Sequence, residues 1–134
     1  MAYFRIEYFS NALQRTTSFE MIIPNDTRAG VPGEENPYRK RPMKTLFLLH
    51  GYTGKAGNWV PVYLAEKYNF AIVMPNGENS FYLNGLSTGH AFETMLAVEL
   101  VEYVRKTFGL AMKPEDTGIA GMSMGGFGAL HTAL

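Results

Sequence analysis

Cysteine is absent from the 134 residues. That excludes a disulfide scaffold and a thiolate zinc site. Net charge is absent as well, with twelve Lys and Arg against twelve Asp and Glu. Nucleic acid and anionic membrane both select a positive face, so neither is an expected partner. No apolar run is long enough to span a membrane, and residues 1–10 carry Arg5 and Glu7, so no signal peptide is expected. Histidine is scarce, at three, and no carboxylates cluster around those three, so no metal site is expected. What is there reads as globular: 46% hydrophobic and 18% charged residues. A chain of this length makes one domain and buries roughly two-thirds of its unfolded surface. The expectation is a soluble, cytoplasmic single unit.

Phe4, Ile6 and Tyr8 alternate with Arg5 and Glu7, and Thr17, Phe19, Met21 and Ile23 alternate before Pro24. A period of two predicts two strands, here an antiparallel hairpin over residues 3–24 at a sheet edge. Residues 24–44 hold prolines at 24, 32, 37 and 42 and predict an exposed loop. Its basic trio Arg39-Lys40-Arg41 reads as solvated loop rather than a nucleic-acid contact. Residues 45–50 (TLFLLH) and 70–75 (FAIVMP) are continuous apolar runs, the mark of strands buried on both faces. Between them Asn58 can cap a helix running to about Lys67, with Pro61 in its first turn. Residues 91–108 have helical period, with Phe92, Met95, Leu96, Val98, Leu100, Val101 and Val104 apolar and Gly109 as the C-terminal cap. Residues 117–121 predict a third short strand, and Met124 starts another helix. Strands and helices thus alternate over residues 45–134, the βαβ order of an α/β fold with a mostly parallel sheet flanked by helices.

The strongest chemical signal is Gly121-Met122-Ser123-Met124-Gly125, a G-x-S-x-G between a strand and a helix. A nucleophilic serine on such a turn needs flanking glycines, because a Cβ there would clash. The helix that follows aims its N-terminal N–H groups at developing negative charge. The second signal is His50-Gly51-Tyr52-Thr53-Gly54, directly after a buried strand. A loop in that place supplies one oxyanion N–H and the residue after the nucleophile supplies the other, which nominates the backbones of Tyr52 and Met124. Trp59, Phe81 and Tyr82 are candidates for lining an acyl pocket, although loop aromatics also serve simply to pack. Gly54-Lys55 lacks the spacing and the Ser or Thr of a phosphate loop, and Gly126-Phe127-Gly128 lacks the third glycine of a dinucleotide fingerprint.

LLHGYTG, VMPNGENSFY, AFETMLAVELVEYV and GMSMGGFGAL together resemble the esterase D-like branch of the α/β-hydrolases, and bacterial tributyrin esterases in particular. S-formylglutathione hydrolases and mycolyltransferase-type esterases are relatives of that branch. The resemblance runs over nearly the whole chain. It implies hydrolysis of small or short-acyl esters through an acyl-serine, without metal or cofactor. It implies Ser123 as nucleophile, Tyr52 and Met124 as oxyanion donors, and Gly121 and Gly125 as shapers of the turn, with His50 and Gly51 as support.

The chain departs from that pattern after Ser123. The triad order is Ser, then Asp or Glu, then His, and only eleven residues follow Ser123. The resemblance implies a domain about twice this length, so the acid and base are expected outside these residues. His131 sits eight positions along the same helix, about 12 Å away, and cannot serve its own Ser123. His50 is expected to order the oxyanion loop. His90 is the one free candidate base. Neither Asp26 nor Asp116 fits the acid. The expectation is therefore half of a serine carboxylesterase domain, inactive alone, with an apolar strand edge at residues 117–121 that recruits another copy or a complementing chain. Two alternatives stay open: a non-catalytic binding remnant of the fold, and an enzyme borrowing His90 from another copy.

Overall fold

A computed structural model of the chain describes residues 1–26 and 36–134. The alternating N-terminal segments form β1 (Ala2–Ser10) and β2 (Arg15–Ile23), paired antiparallel in continuous register from Ala2 opposite Ile23 to Ser10 opposite Arg15. The continuous apolar runs form β3 (Lys44–Leu49) and β4 (Phe70–Pro75), and residues 117–121 form β5 (Thr117–Gly121). Their order in the sheet is β1-β2-β4-β3-β5. β3 runs parallel to both β4 and β5, and only the β2–β4 junction and the hairpin are antiparallel. The order of elements predicts an α/β fold, and the sheet is mixed, with two parallel and two antiparallel pairings.

The unbroken apolar runs follow from burial on both faces. Phe47, Leu49 and Val73 enter one core with Phe92, Met95, Leu96 and Met124. Their neighbours Leu48, Ile72 and Met74 enter a second core on the opposite face, with Ala56 and Ala65. Helix α1 (Val62–Tyr68) covers the second face. The first face is covered by one long helical stretch, α2 (Phe92–Thr94), a π-helical segment Met95–Leu100 and α3 (Val101–Phe108), and by α4 (Met124–Ala133). Gly109 ends α3 in a left-handed conformation (φ 66°), as its place in the sequence predicts.

Three expectations need correction or restriction. α1 begins at Val62, not at Asn58, because the Pro61 carbonyl accepts the first helical N–H groups, from Leu64 and Ala65. Asn58 instead closes a turn onto the Lys55 carbonyl (3.2 Å). Val98 is exposed, since it lies two residues from both Leu96 and Leu100 and so cannot share their side of the helix. The expected loop at residues 24–44 falls partly on residues 27–35, outside the described residues. In its described part Pro37–Lys40 makes a short 3₁₀ turn. The flanking arginines are held by their own chain: Arg39 donates to the Pro24 carbonyl (3.0 Å) and Arg41 to the Tyr68 carbonyl (2.7 Å). Among the described residues β5 pairs only with β3 and forms the outer strand of this sheet, with all five residues half-buried. Among the described residues, no helix is long and apolar enough to cross a membrane.

Candidate active site

Ser123 sits between the end of β5 and the start of α4, at φ 56° and ψ −119°. A residue with a Cβ rarely adopts that conformation, and holding it costs on the order of 1–3 kcal/mol. The flanking glycines make it possible. A Cβ on Gly121 would lie 2.2 Å from the Gly125 carbonyl oxygen, and one on Gly125 would lie 2.2 Å from the Leu49 oxygen. The turn is therefore packed backbone against backbone, into both α4 and the end of β3. Gly125 N–H donates to the Met122 carbonyl (2.9 Å) and Phe127 N–H to the Ser123 carbonyl (3.1 Å). The Ser123 side chain is exposed.

The loop after β3 lies directly against this turn. A Cβ on Gly51 would be 3.6 Å from the Ser123 Cβ and 3.3 Å from the Met122 oxygen. The sequence signals at residues 50–54 and 121–125, about seventy positions apart, thus meet at one point. The Met124 N–H opens α4, where helix N–H groups have no partner within the helix. No hydrogen bond from the Tyr52 or the Met124 N–H occurs among the described residues.

His50 is held from two sides. Gly77 N–H donates to its Nε2 (2.9 Å), which puts the ring proton on Nδ1, facing the Gly51 carbonyl at 2.8 Å. The imidazole therefore bridges the loop after β4 to the loop after β3, and neither ring nitrogen is turned toward Ser123. Tyr82 completes the clasp. Its hydroxyl donates to the His50 carbonyl (3.0 Å), and its ring is fully buried. The space for that ring exists because residues 77 and 128 are glycines: a Cβ would meet it at 2.2 Å and 2.5 Å respectively. Burial pushes the Tyr82 phenol well above its ordinary value, against the opposing effect of the hydrogen bond to His50.

The expected pocket aromatics separate into three fates. Trp59 is exposed and lines a cavity of about 200 Å³ with His50, Gly51, Tyr52 and Met122. Phe81 is half-exposed outside that cavity, between the rings of Tyr52 (6.0 Å) and Phe127 (5.9 Å). Tyr82 is corrected: it cannot line a pocket because its ring is enclosed and its hydroxyl is committed to the backbone.

The other histidines lie elsewhere. The His90 ring bonds to the Ser87 hydroxyl (2.9 Å) and faces the Thr88 carbonyl (3.3 Å). His131 stacks on Phe127 (5.8 Å between centroids, 6° between planes) and pairs with Glu93 at 3.3 Å. Asp116 is at the far end of β5 from Ser123, 3.9 Å from the Lys44 amine. Asp26 pairs with the N-terminal amine. No cluster of side chains suited to a metal ion occurs among the described residues.

A serine strained on a strand-to-helix turn, with a second loop packed beside it, is an arrangement that serine hydrolases use. The family described as "Putative esterase" matches residues 10–134. The chain belongs to this esterase family. It is 36% identical, over its whole length, to an acetyl esterase of Caldicellulosiruptor saccharolyticus, of which it covers 51%. Among solved structures it is similar to a fluorophosphonate-binding serine hydrolase of Staphylococcus aureus (30% identity, TM-score 0.76), matching 95% of this chain and 49% of that one. An S-formylglutathione hydrolase of the same organism matches with 28% identity and a TM-score of 0.73, again over 95% and 49% of the two chains. The chain thus spans about half the length of the relatives it matches.

The sequence alone did not reveal how the chain holds its two loops together. Beyond His50 and Tyr82, Asn76 accepts from Ala56 N–H and Asn79 from Thr53 N–H, each at 2.8 Å. The signal was present as the Gly- and Asn-rich composition of residues 76–90. Loop composition marks turns without naming their partners.

Proposed function

We propose that this chain carries the nucleophile and oxyanion half of a serine carboxylesterase. Ser123 Oγ attacks the carbonyl carbon of a small ester, and the carbonyl electron pair moves onto oxygen. The Tyr52 and Met124 N–H groups stabilise that oxyanion; one such donor is worth about 3–4 kcal/mol in related systems. Collapse forms the Ser123 acyl ester and breaks the bond to the alcohol, which leaves with the proton taken from Ser123. Water then cleaves the acyl ester and restores the serine. Nothing in these steps calls for a metal or cofactor. The carrying observation is the strained backbone of Ser123 with Gly51 packed beside its Cβ.

The base and acid come from outside these residues. His50 is fixed in a loop-bridging role, His131 stacks on Phe127, and His90 is tied to its own loop. Without its base a serine hydrolase loses on the order of a millionfold in turnover. The outer strand β5 is where the complementing chain adds its strands, or where a second copy pairs in its absence. We keep a non-catalytic binding remnant as the second reading, because the Ser123 hydroxyl has no hydrogen-bond partner among the described residues. The test is complementation. Adding the remaining half of the full-length esterase is expected to restore hydrolysis of short-acyl esters to the wild-type chain and not to Ser123→Ala. Equal activity of the two mixtures, or none from either, would favour the binding remnant.

A further inference from the structure

Two consecutive residues with side chains, Phe81 and Tyr82, both have left-handed backbones, at φ 54° and 56°. Each costs roughly 1 kcal/mol or more relative to ordinary conformations. The burial of Tyr82 between Gly77 and Gly128 holds the pair, and the consequence falls on Phe81. With its neighbour turned inward, Phe81 is turned out, 42% exposed, between Tyr52 (56%) and Phe127 (45%). Three exposed rings, Phe81 tilted on Tyr52 and edge-on to Phe127, form an apolar strip, and such patches mark binding sites. The strip stands on the two segments that meet at Ser123, the loop after β3 and the start of α4. Tyr52 carries the proposed oxyanion N–H, and Phe127 lies one turn into α4, its N–H on the Ser123 carbonyl. His131, stacked on Phe127 and paired with Glu93, closes the far end.

We propose that Phe81, with Tyr52 and Phe127, is a specificity-determining wall that takes a flat, apolar group of the ester held at Ser123, and that Tyr82 is the positioning residue that presents it. This rests on the esterase reading above. The occupant is the substrate because the strip is continuous with the oxyanion loop and the Ser123 turn. Ring faces prefer a flat π-surface to a puckered one of the same size, by about 0.5–1.5 kcal/mol.

The test is binding, read apart from catalysis. The 134-residue chain is titrated with phenyl acetate and with cyclohexyl acetate, following the backbone amides of Gly51 and Ser123 by NMR. Phenyl acetate is expected to bind about threefold tighter or better. Phe81→Leu, which keeps an apolar side chain of similar size, is expected to erase the preference, and Phe81→Tyr to retain it. Equal affinity for the two esters, shifts confined to other residues, or a preference that survives Phe81→Leu would overturn the proposal. Ser123 reactivity is measured separately with a phosphonate probe on the chain mixed with its complementing half, so a serine silent in that mixture with an intact phenyl preference would count against the esterase reading alone.

Discussion

At the residue scale, the site depends on which glycines face backbone and which face space. A methyl at position 125 would lie 2.2 Å from the Leu49 carbonyl oxygen and 2.8 Å from that of His50. Neither strand nor helix can yield there without opening the turn that strains Ser123. Gly125→Ala is therefore expected to cost about 3 kcal/mol or more, at the upper end of overpacking penalties. Gly126→Ala meets only the Gly121 oxygen at 3.4 Å and is expected to change stability by under about 1 kcal/mol, since alanine also favours the helix. Urea unfolding of the two variants checks the contrast. Tyr82 supplies a second residue-scale prediction. Its phenol is raised above 10.0 chiefly by burial, so the folded state holds the proton more tightly than the unfolded chain. The stability linked to this group is fully present below about pH 10 and is lost as pH rises through the folded-state value. Tyr82→Phe is expected to cost about 1–3 kcal/mol at pH 7 by leaving the His50 carbonyl unpaired. The same variant should lose less further stability than wild type when moved above pH 10. Tyr8, also raised first by burial and then by Glu99, leaves some alkaline sensitivity in the variant.

At the scale of elements, legibility followed the physics of each segment. β3 and β4 were plain because burial on both faces demands unbroken apolar runs, and the hairpin was plain because one exposed face demands alternation. The G-x-S-x-G turn was plain because its glycines have no substitute. The start of α1 was not, because Asn58 and Pro61 both read as helix openers and only the carbonyl of Pro61 decides between them. The π-helical stretch Met95–Leu100 was invisible, since one widened turn leaves no mark in apolar spacing short enough to detect. Its Glu99 reaches across to accept the Ala12 N–H (3.0 Å), tying the helix to the hairpin turn through residues distant in sequence. The clasp of residues 76–82 on the oxyanion loop was hidden for the same reason. β5 carries the prediction that belongs here. Paired on one side only, it is expected to drive concentration-dependent self-association of the isolated chain, suppressed when the complementing half is added. A monomer unchanged on size-exclusion chromatography across a wide concentration range would contradict this.

For the whole molecule, the two halves of a reactive centre have separated fates. On the proposed reading, the Ser123 turn and the Tyr52 and Met124 N–H groups are set by β3, β5 and the loops they anchor. All three histidines are committed elsewhere, by Gly77, by Ser87 and by Phe127 with Glu93. Shape is then divided from power: this chain would build the place where the ester carbonyl reacts and leave proton transfer to residues beyond it. Fluorophosphonate labelling with intact-mass detection tests this most directly, run on the folded chain alone, on the chain with its complementing half, and on Ser123→Ala in both settings. The expected result is one adduct, formed only with the complementing half present and lost in Ser123→Ala. An adduct on the chain alone would show that a base reaches Ser123 from within, and an adduct that persists in Ser123→Ala would remove Ser123 from the reaction altogether.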